Sequence, residues 1–200
     1  MAWTVALPPA RLIARLGWRL RVSGEVPLPA GPVILAANHL SHLDGPMVAV
    51  AADRPVRFLA VDGLWRAHRW LNVFLRTFGM IPISRERAPL GAMRTAYEHL
   101  RAGGSIGVFP EGGVVDGWGR VEPNASVAWL SLKSGSPIVP VAVIGTGEAY
   151  GKGATRLRRS RVTVVVGTPL MPADFSDRDD PAAAMLTAWT DWVGRQLAGG

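Results

Sequence analysis

Apolar and polar positions along this chain follow two different periods, and the switches between them mark out an alternating order of helices and strands. Over residues 4–20, Leu12, Ile13, Leu16 and Leu20 recur at helical spacing, Arg11, Arg15 and Arg19 run along a neighbouring face, and Trp3 and Trp18 lie near the ends. That is the pattern of an interfacial helix within residues 1–20; a surface helix packed on its own domain with solvated arginines is the equal alternative. At 32–37 the run PVILAA is wholly apolar, as a buried strand requires, and it stops at the polar cluster NHLSHLD at 38–44. Gly45 and Pro46 then open an apolar stretch to Ala52 that predicts a short helix, with Asp44 as its cap.

The alternation continues with a strand near 56–60, a tryptophan-containing helix across 64–77 and a strand at 80–83. From Pro89 the residues Ala92, Met93, Ala96, Tyr97 and Leu100 share one helical face, and Gly103 and Gly104 end that helix before the strand SIGVF. FPEGG follows, again at a strand end. Residues 127–134 predict a helix, and IVPVAVI at 138–144 and RVTVVVG at 161–167 predict strands. Asp180 and Pro181 start a last helix with Met185, Leu186, Trp189, Trp192, Val193 and Leu197 facing inward. Neither a repeat nor a linker divides the chain. The expectation is a single α/β domain over residues 1–200, with a mixed central β-sheet flanked by helices.

Composition narrows the chemistry. The 200 residues are 48% hydrophobic and 18% charged, too apolar for disorder and enough to bury a core without staples. There are no cysteines, which removes disulfides, thiolate nucleophiles and zinc ribbons and fits a cytoplasmic setting. Lys and Arg number 22 against 15 Asp and Glu, a formal charge of +7 that suits anionic lipid as a partner. No apolar run approaches the roughly 20 residues needed to cross a bilayer, and arginines interrupt what a secretory signal would need as its centre. These features together predict a peripheral protein on the cytoplasmic side of a membrane.

The cluster at 38–44 carries the chemistry. A histidine that acts as general base on an alcohol needs one free ring nitrogen and a carboxylate on the other, and His39 and Asp44 are five residues apart across a tight strand-to-helix turn. No serine lies in a GxSxG elbow, so attack by the substrate's own hydroxyl is simpler than a covalent acyl-enzyme. His39 and His42 with an aspartate also suggest metal ligation, but a hydrolytic site wants a further ligand and none is spaced for it, so no metal is expected.

In four ordered blocks these residues resemble the glycerolipid acyltransferases typified by lysophosphatidic acid acyltransferase. Asn38, His39, Ser41, His42 and Asp44 match NHxSHxD; Gly79, Ile81, Ile83 and Arg85 match a second block in GMIPISR. Phe109, Pro110, Glu111 and Gly112 match the third, and IVPVAVIG around Pro140 the fourth. A lone HxxxxD arises by chance; four blocks in order do not. The resemblance spans about residues 20–170 and implies a glycerol-3-phosphate acyltransferase-like fold. It further implies His39 as base, Asp44 as its orienting carboxylate, and Asn38, Ser41, Arg85, Glu111 and Gly112 as groups holding a lysophospholipid acceptor. The donor would be an acyl thioester of coenzyme A or acyl carrier protein, with no cofactor. An arginine suits this role because it grips phosphate bidentately.

The chain departs from the family after FPEG, where Gly113, Val114 and Val115 replace a threonine, an arginine and a serine, and further on, where Asn124–Ser126 stand in place of a lysine-glycine pair. Two anion-binding positions are thereby missing, with Arg120 a candidate substitute, and the acceptor head group is open to variation. The basic cluster Lys152, Arg156, Arg158, Arg159 and Arg161 suits anionic lipid or the phosphates of the donor. Two rivals remain: a thioesterase using water, and a non-catalytic lipid- or nucleic-acid-binding module. No nucleic-acid motif accompanies the basic residues, so nucleic acid is not expected as a partner.

Overall fold

The computed structural model describes residues 2–84 and 89–199. Seven strands form one sheet: β1 (Arg21–Gly24), β2 (Ile34–Ala37), β3 (Val56–Val61), β4 (Ile81–Ile83), β5 (Ser105–Val108), β6 (Ile138–Ile144) and β7 (Thr163–Val166). Their spatial order is β1-β7-β6-β2-β5-β3-β4. β6, β2, β5, β3 and β4 run parallel to one another, β7 is antiparallel to β6, and β1 is parallel to β7. The sheet is therefore mixed, central and doubly covered, as the alternating pattern predicts.

Side chains that alternate along the strands feed two cores. Val33, Leu35 and Ala37 join one with Val139, Val141, Val143 and Phe58, covered by α1 (Ala2–Trp18) and α2 (Asp44–Ala52). Ile34 and Ala36 join the other with Ile106, under α5 (Leu90–Arg101), α6 (Ser126–Ser134) and α8 (Pro181–Ala198). A strand buried on both faces has no polar register, which is why PVILAA reads as an unbroken apolar run. From α8 the fully buried Trp189 reaches the sheet, and its Nε1 donates to the Ala36 carbonyl oxygen at 2.8 Å. Pro140 is tolerated in central β6 because the pairing slips by one residue there: the Gly167 N–H reaches the Pro140 carbonyl at 2.8 Å while Ile138 pairs with Leu170, so the missing N–H falls at an irregularity of the ladder.

Three elements depart from the sequence expectation. β1 is an extra edge strand, exposed along its whole length. The helix read across 64–77 is two, α3 (Leu64–Ala67) and α4 (Arg69–Thr77), because His68 is extended at φ −151°, ψ 144°. A short helix, α7 (Thr146–Tyr150), follows β6.

The first helix turns two different faces to its surroundings. α1 packs on its own domain through Trp3, Ala10, Ala14 and Trp18, while Val5, Leu12, Ile13 and Leu16 point outward, Val5 76% and Leu16 70% exposed. Leu20 lies past the helix and is buried. One face holds the fold together, and the other is left apolar and uncovered.

Candidate active site

The parallel strands all deliver their carboxyl ends to one edge, where open α/β sheets bind ligands. β2 and β5 are neighbours, so the segments that follow them, 38–44 and 109–112, meet there. The polar cluster and FPEGG, 70 residues apart in sequence, become one site.

Asn38 continues β2 with its side chain. Its Nδ2 donates to the Val143 carbonyl oxygen at 2.9 Å and its Oδ1 accepts from the Val143 N–H at 2.7 Å, so a carboxamide stands in for a peptide unit of the β2–β6 ladder. With both polar atoms engaged and the residue fully buried, Asn38 anchors the loop.

His39 is next. Its Nδ1 lies 3.0 Å from Asp44 Oδ2, with 15% of the imidazole side chain exposed and none of Asp44. The carboxylate acceptor selects the tautomer protonated on Nδ1 and leaves Nε2 as the ring's free acceptor. Phe109 stacks on the imidazole, centroids 3.9 Å apart and planes at 14°, and Phe58 stacks on Phe109 in turn at 5.8 Å. Gly107 makes room for this column, since a Cβ there would fall 2.2 Å from the Phe58 ring. The main chain of His39 is held as well: its N–H donates to Glu111 Oε1 at 3.1 Å, and its carbonyl accepts from Val115 at 2.9 Å.

Asp44 is the first residue of α2, not its cap; the N-cap position is Leu43, and no side chain caps the helix. The carboxylate turns back instead, where Oδ2 also accepts the Ser41 N–H at 2.8 Å. Its place in the first turn still sets its negative charge at the favourable end of the helix dipole. Ser41 is buried and fully occupied: Oγ donates to the Tyr150 carbonyl at 2.7 Å and accepts from the Leu43 N–H at 3.1 Å. His42 is exposed, 6.1 Å from the Tyr150 ring and outside the His39–Asp44 pair. Asp44 Oδ1 and Glu111 Oε2 are buried without a protein partner among the described residues.

Glu111 sits in a turn closed by the Gly112 N–H on the Phe109 carbonyl at 2.9 Å, with Pro110 at the position where its fixed φ fits and Gly112 at φ +72°. Burial raises the Glu111 pKa above the ordinary carboxylate value. The Asp44 charge adds to that rise, while N–H bonds from Glu111's own backbone and from His39 oppose it.

The structure thus brings together Asn38, His39, Ser41, Asp44, Glu111 and Gly112. Arg85 lies outside the described residues. Arg120 is exposed, against Gly117, in a turn whose Trp118 packs edge-on to Trp189 on the α8 face. Phe58, Val143 and Tyr150 belong to the site's support yet carry no sequence signal, because each acts only through contacts made by the fold.

A scan against family models matches the Acyltransferase family over residues 19–144. A 1-acyl-sn-glycerol-3-phosphate acyltransferase of Bacillus subtilis is 22% identical over 189 residues, 94% of this chain and 90% of that protein. The namesake from Borreliella burgdorferi is 31% identical over 140 residues, 68% of this chain and 55% of that one. A lyso-ornithine lipid O-acyltransferase of Pseudomonas aeruginosa is 32% identical over 136 residues, 67% and 50% of the two chains. Among solved structures, the 1-acyl-sn-glycerophosphate acyltransferase of Thermotoga maritima superposes with a TM-score of 0.79 at 22% identity, covering 98% of this chain and 81% of that one, which establishes the shared fold. The family match spans the sheet edge that carries both site loops, and the chain is an enzyme of the acyltransferase family.

Proposed function

We propose that the protein transfers an acyl group from a thioester of coenzyme A or acyl carrier protein to the free hydroxyl of a lysophospholipid, 1-acyl-glycerol-3-phosphate foremost. The observation that carries this reading is the His39–Asp44 pair at the ligand-binding edge of the sheet, one ring nitrogen held and the other free. Nε2 takes the proton of the acceptor hydroxyl as that oxygen attacks the thioester carbonyl carbon. The tetrahedral intermediate then collapses, the C–S bond breaks, and the imidazolium returns the proton to the departing sulfur. Asp44 stabilises the imidazolium in between. Backbone amides in the first turn of α2 or in the 109–113 loop supply the donors for the oxyanion. No metal or cofactor takes part, and Arg85 and Gly112 keep the acceptor-holding roles that the family resemblance implies.

Asn38, Ser41 and Glu111 serve here as positioning groups, since their hydrogen bonds go to the protein. The site works at a membrane surface, on its cytoplasmic side. In support, no helix among the described residues is long and apolar enough to cross a membrane, while α4, like α1, leaves apolar side chains uncovered, with Trp70 69% exposed and Val73 and Phe74 exposed beside it in sequence. Trp3 on Phe78 at 4.8 Å and Phe74 on Phe78 at 4.6 Å join the two helices. The basic loop flanks this surface, tied to the end of α1 by Trp18 Nε1 on the Arg158 carbonyl at 3.0 Å.

A second acceptor has specific support. Gly113, Val114 and Val115 put no cation beside the site, and one relative is named for a lyso-ornithine lipid. The deciding experiment offers purified protein one labelled acyl-CoA with a panel of lysolipids and reads the products by mass spectrometry. Acylated 1-acyl-glycerol-3-phosphate is expected. Thioester consumption that is the same without any lysolipid identifies a thioesterase and rejects the proposal.

A further inference from the structure

Beside β4, the last strand of the sheet, lies a groove that the acyl-transfer chemistry leaves unused. It measures about 590 Å³, and Arg57, Arg66 and Arg76 line it together with Asp62, Trp65 and Gly79. The three arginines come from β3, α3 and α4, so their convergence is a product of the fold and not of local sequence. Three guanidinium charges face one carboxylate, and among the described residues none of the three is in an ion pair. Gathering like charges costs energy unless an anion sits between them.

Two of these arginines are held in place. Gly79, at φ +66°, lies directly over the Arg57 side chain, where a Cβ would fall 2.7 Å from Nε. Arg76 Nε donates to Asn72 Oδ1 at 2.8 Å, one helical turn back. The groove is also closed to the commonest ligand of a sheet edge, an added strand. Ile83 bonds inward to β3 by accepting the Asp62 N–H at 3.0 Å, so alternation turns Pro82, which has no N–H, outward.

The groove and the imidazole lie on opposite sides of the sheet. Val56 and Phe58 enter the core beneath α2, so Arg57 between them faces α5, where its charge adds to burial in lowering the His99 pKa. β4 stands three strands from β2, roughly 14 Å at about 4.8 Å per strand. A flexible arm anchored in the groove spans that distance around the carboxyl end of β3, where Asp62, Trp65 and Arg66 lie.

We infer that this groove binds a phosphate-ester dianion, of the kind borne by the phosphorylated end of a thioester carrier. Arginines recognise phosphate oxygens bidentately, and Trp65 offers a planar face beside them. The inference rests on the acyl-transfer reading for its choice of occupant, but binding is measured without turnover.

The test is calorimetric titration of the full chain with coenzyme A, and in a second arm sedimentation with vesicles of phosphatidylcholine alone or with phosphatidic acid. The variants are Arg66→Gln with Arg76→Gln, and Arg101→Gln on exposed α5 as a control. The double variant is expected to weaken coenzyme A binding tenfold or more and the control to leave it unchanged. In transfer assays the double variant should raise KM for acyl-CoA while KM for lysolipid and kcat stay put. Loss of vesicle binding alone, restricted to phosphatidic acid, assigns the dianion to a lipid head group. Unaltered binding in both arms overturns the inference. A wild-type protein that binds coenzyme A through the groove but transfers no acyl group retains the site and rejects the proposed reaction.

Discussion

Glu111 Oε1 accepts the backbone N–H of His39 at 3.1 Å, so the carboxylate of one loop fixes the main chain of the residue that carries the imidazole in the other. A carboxamide accepts that bond equally well. Glu111→Gln is therefore expected to keep kcat within a fewfold, whereas Glu111→Ala, which frees the loop, should lower kcat with KM nearly unchanged. Steady-state kinetics on both variants checks this; a rise in acceptor KM with kcat intact would make Glu111 a substrate contact instead.

The same carboxylate has a stability signature. Because burial raises its folded-state pKa, the native state holds that proton more tightly than the unfolded chain does. Stability from this group is fully present below the ordinary carboxyl range and is lost as pH rises through the folded pKa. Glu111→Gln should therefore raise Tm at pH 7.5, with the gain closing as pH falls below about 4. Thermal denaturation at the two pH values reads the sign.

Removing the imidazole tests the chemistry itself. His39→Ala should reduce turnover by roughly 10²–10⁴, the usual contribution of general-base assistance. Asp44→Asn leaves the space filled but removes the carboxylate that stabilises the imidazolium, so kcat should fall while KM for lysolipid holds. Near-normal turnover of purified His39→Ala refutes the assignment.

Asn38 predicts a loss of stability. Truncation to Ala leaves the buried N–H and C=O of Val143 without their partners, at about 1–3 kcal/mol each. Denaturant titration of Asn38→Ala should show this loss. A change within about 0.5 kcal/mol would mean that water replaces the carboxamide.

The outward face of α1 makes no contribution to the core, so Leu12→Ser with Ile13→Ser and Leu16→Ser should leave Tm within a few degrees of wild type. Sedimentation with anionic vesicles should drop sharply in the same variant. Equal binding by both proteins argues against this face as the membrane contact.

Much of this was legible in the residues. PVILAA, SIGVF and IVPVAVI became β2, β5 and β6, because strands covered on both faces must be apolar throughout. Their shared carboxyl edge follows from being parallel, and that edge brings His39 to Glu111. What stayed hidden depends on distance. RVSG has no apolar pattern, since β1 is an exposed edge held by the backbone alone. The break at His68 interrupts no sequence period. Asn38 looked like a ligand to substrate because its partner, Val143, lies 105 residues away, and Asp44 looked like a cap because helix starts favour the same residue types whether or not the side chain caps.

The pairing of β1 has a consequence for the order of assembly. Among the described residues, 21–24 pair with 163–166 and with no other strand, so β1 waits for a segment about 140 residues further along before it has a partner. The inward face of α1, Trp3, Ala10, Ala14 and Trp18, is made long before Val162, Val164 and Val166, which share its core. Contacts so distant in sequence slow folding, and until residues 163–166 arrive the β1 edge stays without its partner strand.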